Sequence, residues 1–233
     1  MPVSYIAKTS DYWLRVQLDH GPIVSVPYGL KVQRTGKKEG REYFTILEGV
    51  NQGKLASING AGAEPYFTTS ISHGPGATVT FDSKSQSLTF AGRGPVNAFS
   101  GGGHRGFTAV SPGMYALAIP AYPSAQTRSA YGAWCRYHNL WFRIGVATTG
   151  SRFLHPGAIS DGCVTVRQFV YDPSKGKPPA GFADLEPGAK TEPGLIGLPL
   201  PAAPAPCISW DVIVNALILA RASDQAVGTL IVR

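Results

Sequence analysis

No apolar run approaches the roughly 18–20 residues that a membrane-spanning helix needs, so no integral membrane segment is expected. The start, Met1-Pro2-Val3-Ser4-Tyr5, lacks the basic flank and apolar stretch of a secretory signal. Action in the cytoplasm, a removed leader and export by a signal-less route are all compatible with that start. Lysine/arginine-rich helices and basic strips interleaved with aromatics are missing too, which argues against a nucleic-acid partner. Cysteine is sparse: Cys135, Cys163 and Cys207, none with a C-x-x-C partner. Structural zinc normally takes four ligands in paired short spacings, so neither a metal nor another cofactor is expected. The odd count allows a Cys135–Cys207 bridge beside one thiol, but three reduced cysteines are the default.

What the chain does have is turns. Its 233 residues suffice for one or two domains with a real core. Twenty-eight glycines and 19 prolines punctuate short runs of aromatic and β-branched residues, which predicts a mostly-β protein. A formal charge of +7 suits an anionic partner such as an acidic wall polymer, and a generally basic surface would explain it equally well.

Residues 1–75 read as a small β extension. Tyr12–Leu18 alternates well enough for a half-buried strand, Asp19-His20-Gly21-Pro22 turns, and Tyr43–Leu47 is a second strand. A second β region, 76–233, opens with Thr78–Phe81 and Ser87–Phe90 flanking a polar link, the pattern of a hairpin. Gly92-Arg93-Gly94-Pro95 and Ser100–Gly106 are too glycine-rich for strand interiors. The latter lacks the Gly-Lys-Ser/Thr ending of a phosphate loop and reads as a flexible cleft loop in which His104 could touch substrate. Met114–Pro120 and Trp141–Ile144 are further strands, with Tyr115 and Trp141 read as core. Residues 172–206 hold nine prolines and no period, as either an insertion beside the site or a linker. Ser209–Leu219 is an apolar-faced helix that packs on a sheet, and Gly228–Val232 a closing strand.

The chemistry concentrates in Leu154-His155-Pro156-Gly157-Ala158-Ile159-Ser160-Asp161-Gly162-Cys163-Val164-Thr165-Val166. A thiol at the mouth of a β-branched segment, with an imidazole just upstream, is what nucleophilic acyl transfer needs. The thiolate attacks, and a nearby histidine depresses its pKa or takes its proton. Chain order narrows the choice. All five histidines (His20, His73, His104, His138, His155) precede Cys163, so an arrangement with the base downstream cannot use it. Cys135 sits in Tyr131–Cys135, which reads as buried packing.

Gly157–Val164 resembles the signature of the YkuD-type L,D-transpeptidases, G-x-x-x-S-H-G-C-[IV]. With S-x-G-C and a histidine close before it, the stretch is most similar to L,D-transpeptidase-like effectors delivered by bacterial secretion systems. Phe81-Asp82, Ser111-Pro112-Gly113-Met114-Tyr115, Phe142-Arg143-Ile144, the helix with Trp210 and the Gly228-Thr229-Leu230 strand extend the likeness over about residues 77–233. Three positions depart from the pattern: Asp161 replaces the motif's second histidine, Gly145 occupies about the usual place of the catalytic histidine, and Thr165 replaces an arginine.

The resemblance implies a β-sandwich or barrel with a packing helix, and acyl transfer on peptidoglycan stem peptides. Cys163 would form a thioester, with His155 as base and the Gly162 and Cys163 N–H groups as oxyanion donors. Ser160 and Asp161 would orient His155 or fix the turn. Arg143 and Arg152 would bind a stem-peptide carboxylate or serve structural pairing. It further implies action in the periplasm or outside the cell, reached from the cytoplasm, with a secretion-system or immunity partner. A wall-binding module that keeps the fold without catalysis is the alternative from a different class.

Overall fold

The computed structural model describes residues 3–7, 9, 11–60, 66–90, 93–101, 107–121, 123–124, 137–145, 152–157, 160, 162–166 and 208–233. The predicted roles of His104, Asp161, Cys135, Cys207 and the proline-rich stretch 172–206 lie outside the described residues. Among the described residues the protein is mostly β with one helix near the C-terminus, as the turn-rich composition leads one to expect.

Seven strands build a first, antiparallel sheet: β1 (Val3–Ile6), β2 (Trp13–Leu18), β3 (Ile23–Pro27), β4 (Lys31–Lys38), β5 (Arg41–Ile46), β6 (Leu55–Asn59) and β7 (Phe67–Thr68), in the order β3-β2-β6-β5-β4-β1-β7. Alternation explains the burial. In β5, Glu42, Phe44 and Ile46 face inward while Arg41, Tyr43 and Thr45 are half-exposed. The inward Glu42 is compensated by an ion pair with Arg34 of β4. Phe44 and Ile46 join Ile6, Leu14, Val16, Val32 and Ile58 in the core of this sheet.

The remaining strands close a barrel: β8 (Ala77–Asp82), β9 (Ser87–Phe90), β10 (Arg93–Phe99), β11 (Gly113–Ala118), β12 (Phe142–Ile144), β13 (Arg152–Pro156), β14 (Val164–Val166) and β15 (Ala226–Val232), ordered β10-β14-β13-β12-β11-β15-β8-β9. The β8–β9 hairpin has Val79 opposite Phe90 and Phe81 opposite Leu88, all buried. Asp82 holds its turn by accepting the backbone N–H groups of Lys84 and Ser85, each at 2.9 Å. Those N–H groups hold its carboxyl below the usual range. The expectation that Gly92–Pro95 interrupts the sheet is corrected, because Arg93–Phe99 is a barrel strand. A register shift between Arg93 and Val96 absorbs Gly94 and Pro95, which is how proline and glycine enter a sheet without breaking it.

Helix α1 (Ile208–Ala220) lays Trp210, Ile213, Val214 and Leu217 into the barrel's apolar cluster and leaves Leu219 in solvent. Trp13, which opens β2, and Tyr12 just before it belong to that same cluster, so the first sheet and the barrel share packing. Arg221, just past α1, lies over the Tyr28 ring and donates to the Tyr28 carbonyl at 3.2 Å. Gly29 makes this possible. Its φ of +79° and missing side chain leave the space the guanidinium fills. Burial there holds Arg221 below its ordinary pKa. Nearby, burial raises the Glu48 carboxyl above 4.5, reinforced by the Asp224 carboxylate and opposed by the Lys31 backbone N–H. Asp224 in turn pairs with His73 at 3.1 Å.

Candidate active site

β13 and β14 run side by side in parallel, with Leu154 beside Val164, His155 beside Thr165 and Pro156 beside Val166. Parallel neighbours usually need a crossover of a dozen or more residues. Here residues 157–163 suffice, because β14 is only three residues long and a short loop can retrace it. Leu154, Val164 and Val166 enter the barrel's apolar cluster, so strand alternation turns His155 and Thr165 to the opposite face. Cys163 stands immediately before β14, two residues from Thr165, and is buried. Its side chain is outside the barrel's apolar cluster.

Cys163 is a thiol, 7% exposed, and His155 is 5% exposed. The imidazole is held at both edges. Nδ1 lies 2.8 Å from the Pro156 carbonyl oxygen and Nε2 lies 3.2 Å from Thr165 Oγ1. A carbonyl can only accept, so Nδ1 carries the proton, and in the neutral ring Nε2 is the basic nitrogen with the Thr165 hydroxyl donating to it. The ring's face is fixed as well. Trp141 stacks on it with centroids 4.0 Å apart and planes 17° from parallel. This corrects the reading of Trp141 as core: it lies on the outer side of the barrel wall, in edge contact with Phe153 and donating Nε1–H to the His138 carbonyl at 3.0 Å.

The expected supports sort differently from the sequence reading. Ser160 donates to the Cys163 carbonyl at 2.7 Å and accepts from the Gly101 N–H at 3.1 Å. It therefore fixes the loop, which favours the turn-fixing alternative over orientation of His155. Gly162 adopts φ +76°, as the tight loop requires. Its N–H, expected in the oxyanion hole, instead donates to the Gly101 carbonyl at 3.0 Å. That expectation is corrected, since a donor committed to a backbone carbonyl is not aimed at a reacting oxygen.

The two arginines separate. Arg143 pairs with Phe153 across β12–β13 and so shares the face of His155. Its Nε is buried with no hydrogen-bond partner among the described residues. Arg152 donates to the Ala109 carbonyl at 3.3 Å and to Thr108 Oγ1 at 3.1 Å, a structural clamp on residues 108–109 that leaves its carboxylate-binding role without support. Thr165, which holds the basic nitrogen, was missed as a site residue. The available signal was its spacing of two from Cys163, which in a continuous strand would put both on one side.

The arrangement thus holds an imidazole in one tautomer on the outer face of the barrel wall, with a buried thiol two residues before the threonine that bonds it. In comparison with known proteins, no family model, no curated protein and no solved structure matches the chain.

Proposed function

We propose that the protein is a cysteine acyltransferase of peptidoglycan stem peptides, acting as an L,D-transpeptidase or L,D-carboxypeptidase. The observation that carries this reading is the His155 ring, fixed with Nδ1 against a carbonyl and Nε2 against the hydroxyl of Thr165, two residues beyond the buried Cys163. In the first step the Thr165 hydroxyl turns away from Nε2, the Cys163 thiol gives its proton to that freed lone pair, and the sulfur attacks the carbonyl between an L-configured centre of diaminopimelate and the terminal D-residue. Collapse of the tetrahedral intermediate breaks the C–N bond, and the imidazolium returns the proton to the departing amine. The thioester is then resolved by an amine, giving a crosslink or residue exchange, or by water. His155 takes the incoming proton and the thiol is regenerated. With Gly162 engaged elsewhere, the Cys163 N–H is the loop donor assigned to the oxyanion, and Arg143 is the cation assigned to a stem-peptide carboxylate. Action in the periplasm or outside the cell, with a secretion-system or immunity partner, belongs to the same proposal.

The burial of Cys163 and the occupied Gly162 N–H favour a second reading, a wall-binding module without catalysis. Mass spectrometry of muropeptides incubated with the protein and with Cys163→Ala separates the two. Loss or exchange of a terminal D-residue by the intact protein alone establishes acyl transfer. Unchanged muropeptides, together with co-sedimentation of the protein with sacculi, establish the module.

A further inference from the structure

We propose that the first sheet acts on the site through a column of two aromatic pairs joined by a turn: Tyr12 seats Tyr137, and the turn that follows delivers Trp141 onto His155, making Tyr12 and Trp141 positioning residues for the base. This rests on the reading of His155 as the partner of Cys163.

The column begins with a strained residue. Tyr12 has φ +66°, a conformation that bulky side chains rarely adopt unless their surroundings impose it. The surroundings do. Its ring is 99% buried, its hydroxyl donates to Asn215 Oδ1 of α1 at 2.6 Å, and its carbonyl accepts the Tyr28 N–H at 2.8 Å. The Tyr12 ring meets Tyr137 at 4.8 Å. The Tyr137 carbonyl accepts both the Trp210 indole N–H, at 3.0 Å, and the Leu140 N–H, at 3.1 Å, which ties the turn to α1 and closes it. Trp141 follows immediately, its indole N–H bound back into the turn at His138 and its ring on the imidazole. A shift at Tyr12 is therefore transmitted to the plane of the ring that holds the proton.

Stacking also favours the imidazolium, because the electron-rich indole face attracts a cation. A column that holds Trp141 in place thus stabilises the protonated base that accompanies a Cys163 thiolate. Among the described residues, the other titratable or charged groups on the elements around the ring are Tyr137 and His138 in the turn, Arg143 on β12, Arg152 on β13 and the Cys163 thiol before β14.

The test is the rate of Cys163 alkylation by iodoacetamide from pH 5 to 9, read at that residue by peptide mass spectrometry in the full chain. Trp141→Leu is expected to slow the reaction about 2- to 30-fold at pH 6.5 and to move the inflection upward, as loss of a cation–π contact implies. Trp141→Phe should recover part of that loss. Tyr12→Leu should shift the profile in the same direction without touching the site, and the milder Asn215→Ala should do so to a smaller extent even where Tyr12→Leu fails to fold. Wild-type profiles in folded Trp141→Leu and Asn215→Ala overturn the proposal. His155→Ala keeps the two levels distinct. If it leaves the profile unchanged, the base itself is misassigned; if it suppresses labelling while the other variants do not, only the column fails.

Discussion

Adding one methyl group at Gly162 perturbs the loop that carries Cys163 at its tightest point. The residue sits at φ +76°, where an L-residue with a Cβ is disfavoured by about 1–2 kcal/mol. The new Cβ would also stand 2.9 Å from the Thr108 carbonyl oxygen, and that segment is tethered by Arg152 through the Thr108 hydroxyl at 3.1 Å and the Ala109 carbonyl at 3.3 Å. Relief requires moving Gly162 away from Gly101, which weakens a hydrogen bond worth about 1 kcal/mol. The total for Gly162→Ala is thus about 2–3 kcal/mol. Gly145→Ala is the matched control in the same barrel. Its φ is +72°, but its Cβ would meet only Tyr115 Cδ1 at 3.7 Å, an ordinary contact, so it carries the backbone cost alone. Urea denaturation followed by tryptophan fluorescence should show Gly162→Ala to be the more destabilised of the two, by about 1 kcal/mol. Equal destabilisation would refute the packing assigned to the loop.

Two further outcomes follow from other contacts. Thr165→Val removes the hydroxyl that donates to His155 Nε2 while keeping the shape of a fully buried side chain. It should lower stability by about 1–3 kcal/mol in urea denaturation and alter the pH profile of Cys163 alkylation, because a buried acceptor loses its donor. Glu48 tests the junction between sheet and barrel. Its folded carboxyl binds a proton more tightly than the unfolded one, so its contribution is most favourable below about 4.5 and falls as pH rises through the higher folded value. Denaturation midpoints measured upward from pH 4.5 should decline less steeply in Glu48→Gln than in the wild type.

Strand alternation made much of the barrel legible. Val79, Phe81, Leu88 and Phe90 announce their hairpin because every second residue is apolar, and Val164–Val166 announces β14 by β-branching. β4 escaped because Lys31–Lys38 ends in exposed residues with no alternation to read. Arg93–Phe99 escaped because a bulge is a pairing property, invisible until β9 and β10 are aligned. At the site, the His155–Cys163 stretch stands out by residue type. Its holders do not, because Thr165 meets His155 only through the β13–β14 register, and Trp141 reaches the same ring from another strand's approach. Likewise nothing in a string of letters shows that the Gly162 N–H is spent on Gly101 or that Tyr12 has a positive φ.

The central claim is that Cys163 accepts an acyl group from a stem peptide. Intact-protein mass spectrometry after brief incubation with a purified stem tetrapeptide ending in a D-residue tests it most directly. The expected result is an adduct on Cys163 equal to the peptide acyl group without its terminal residue, slowed by His155→Ala and abolished by Cys163→Ala. A wild-type protein that stays at its own mass, with no terminal D-residue released, would contradict it.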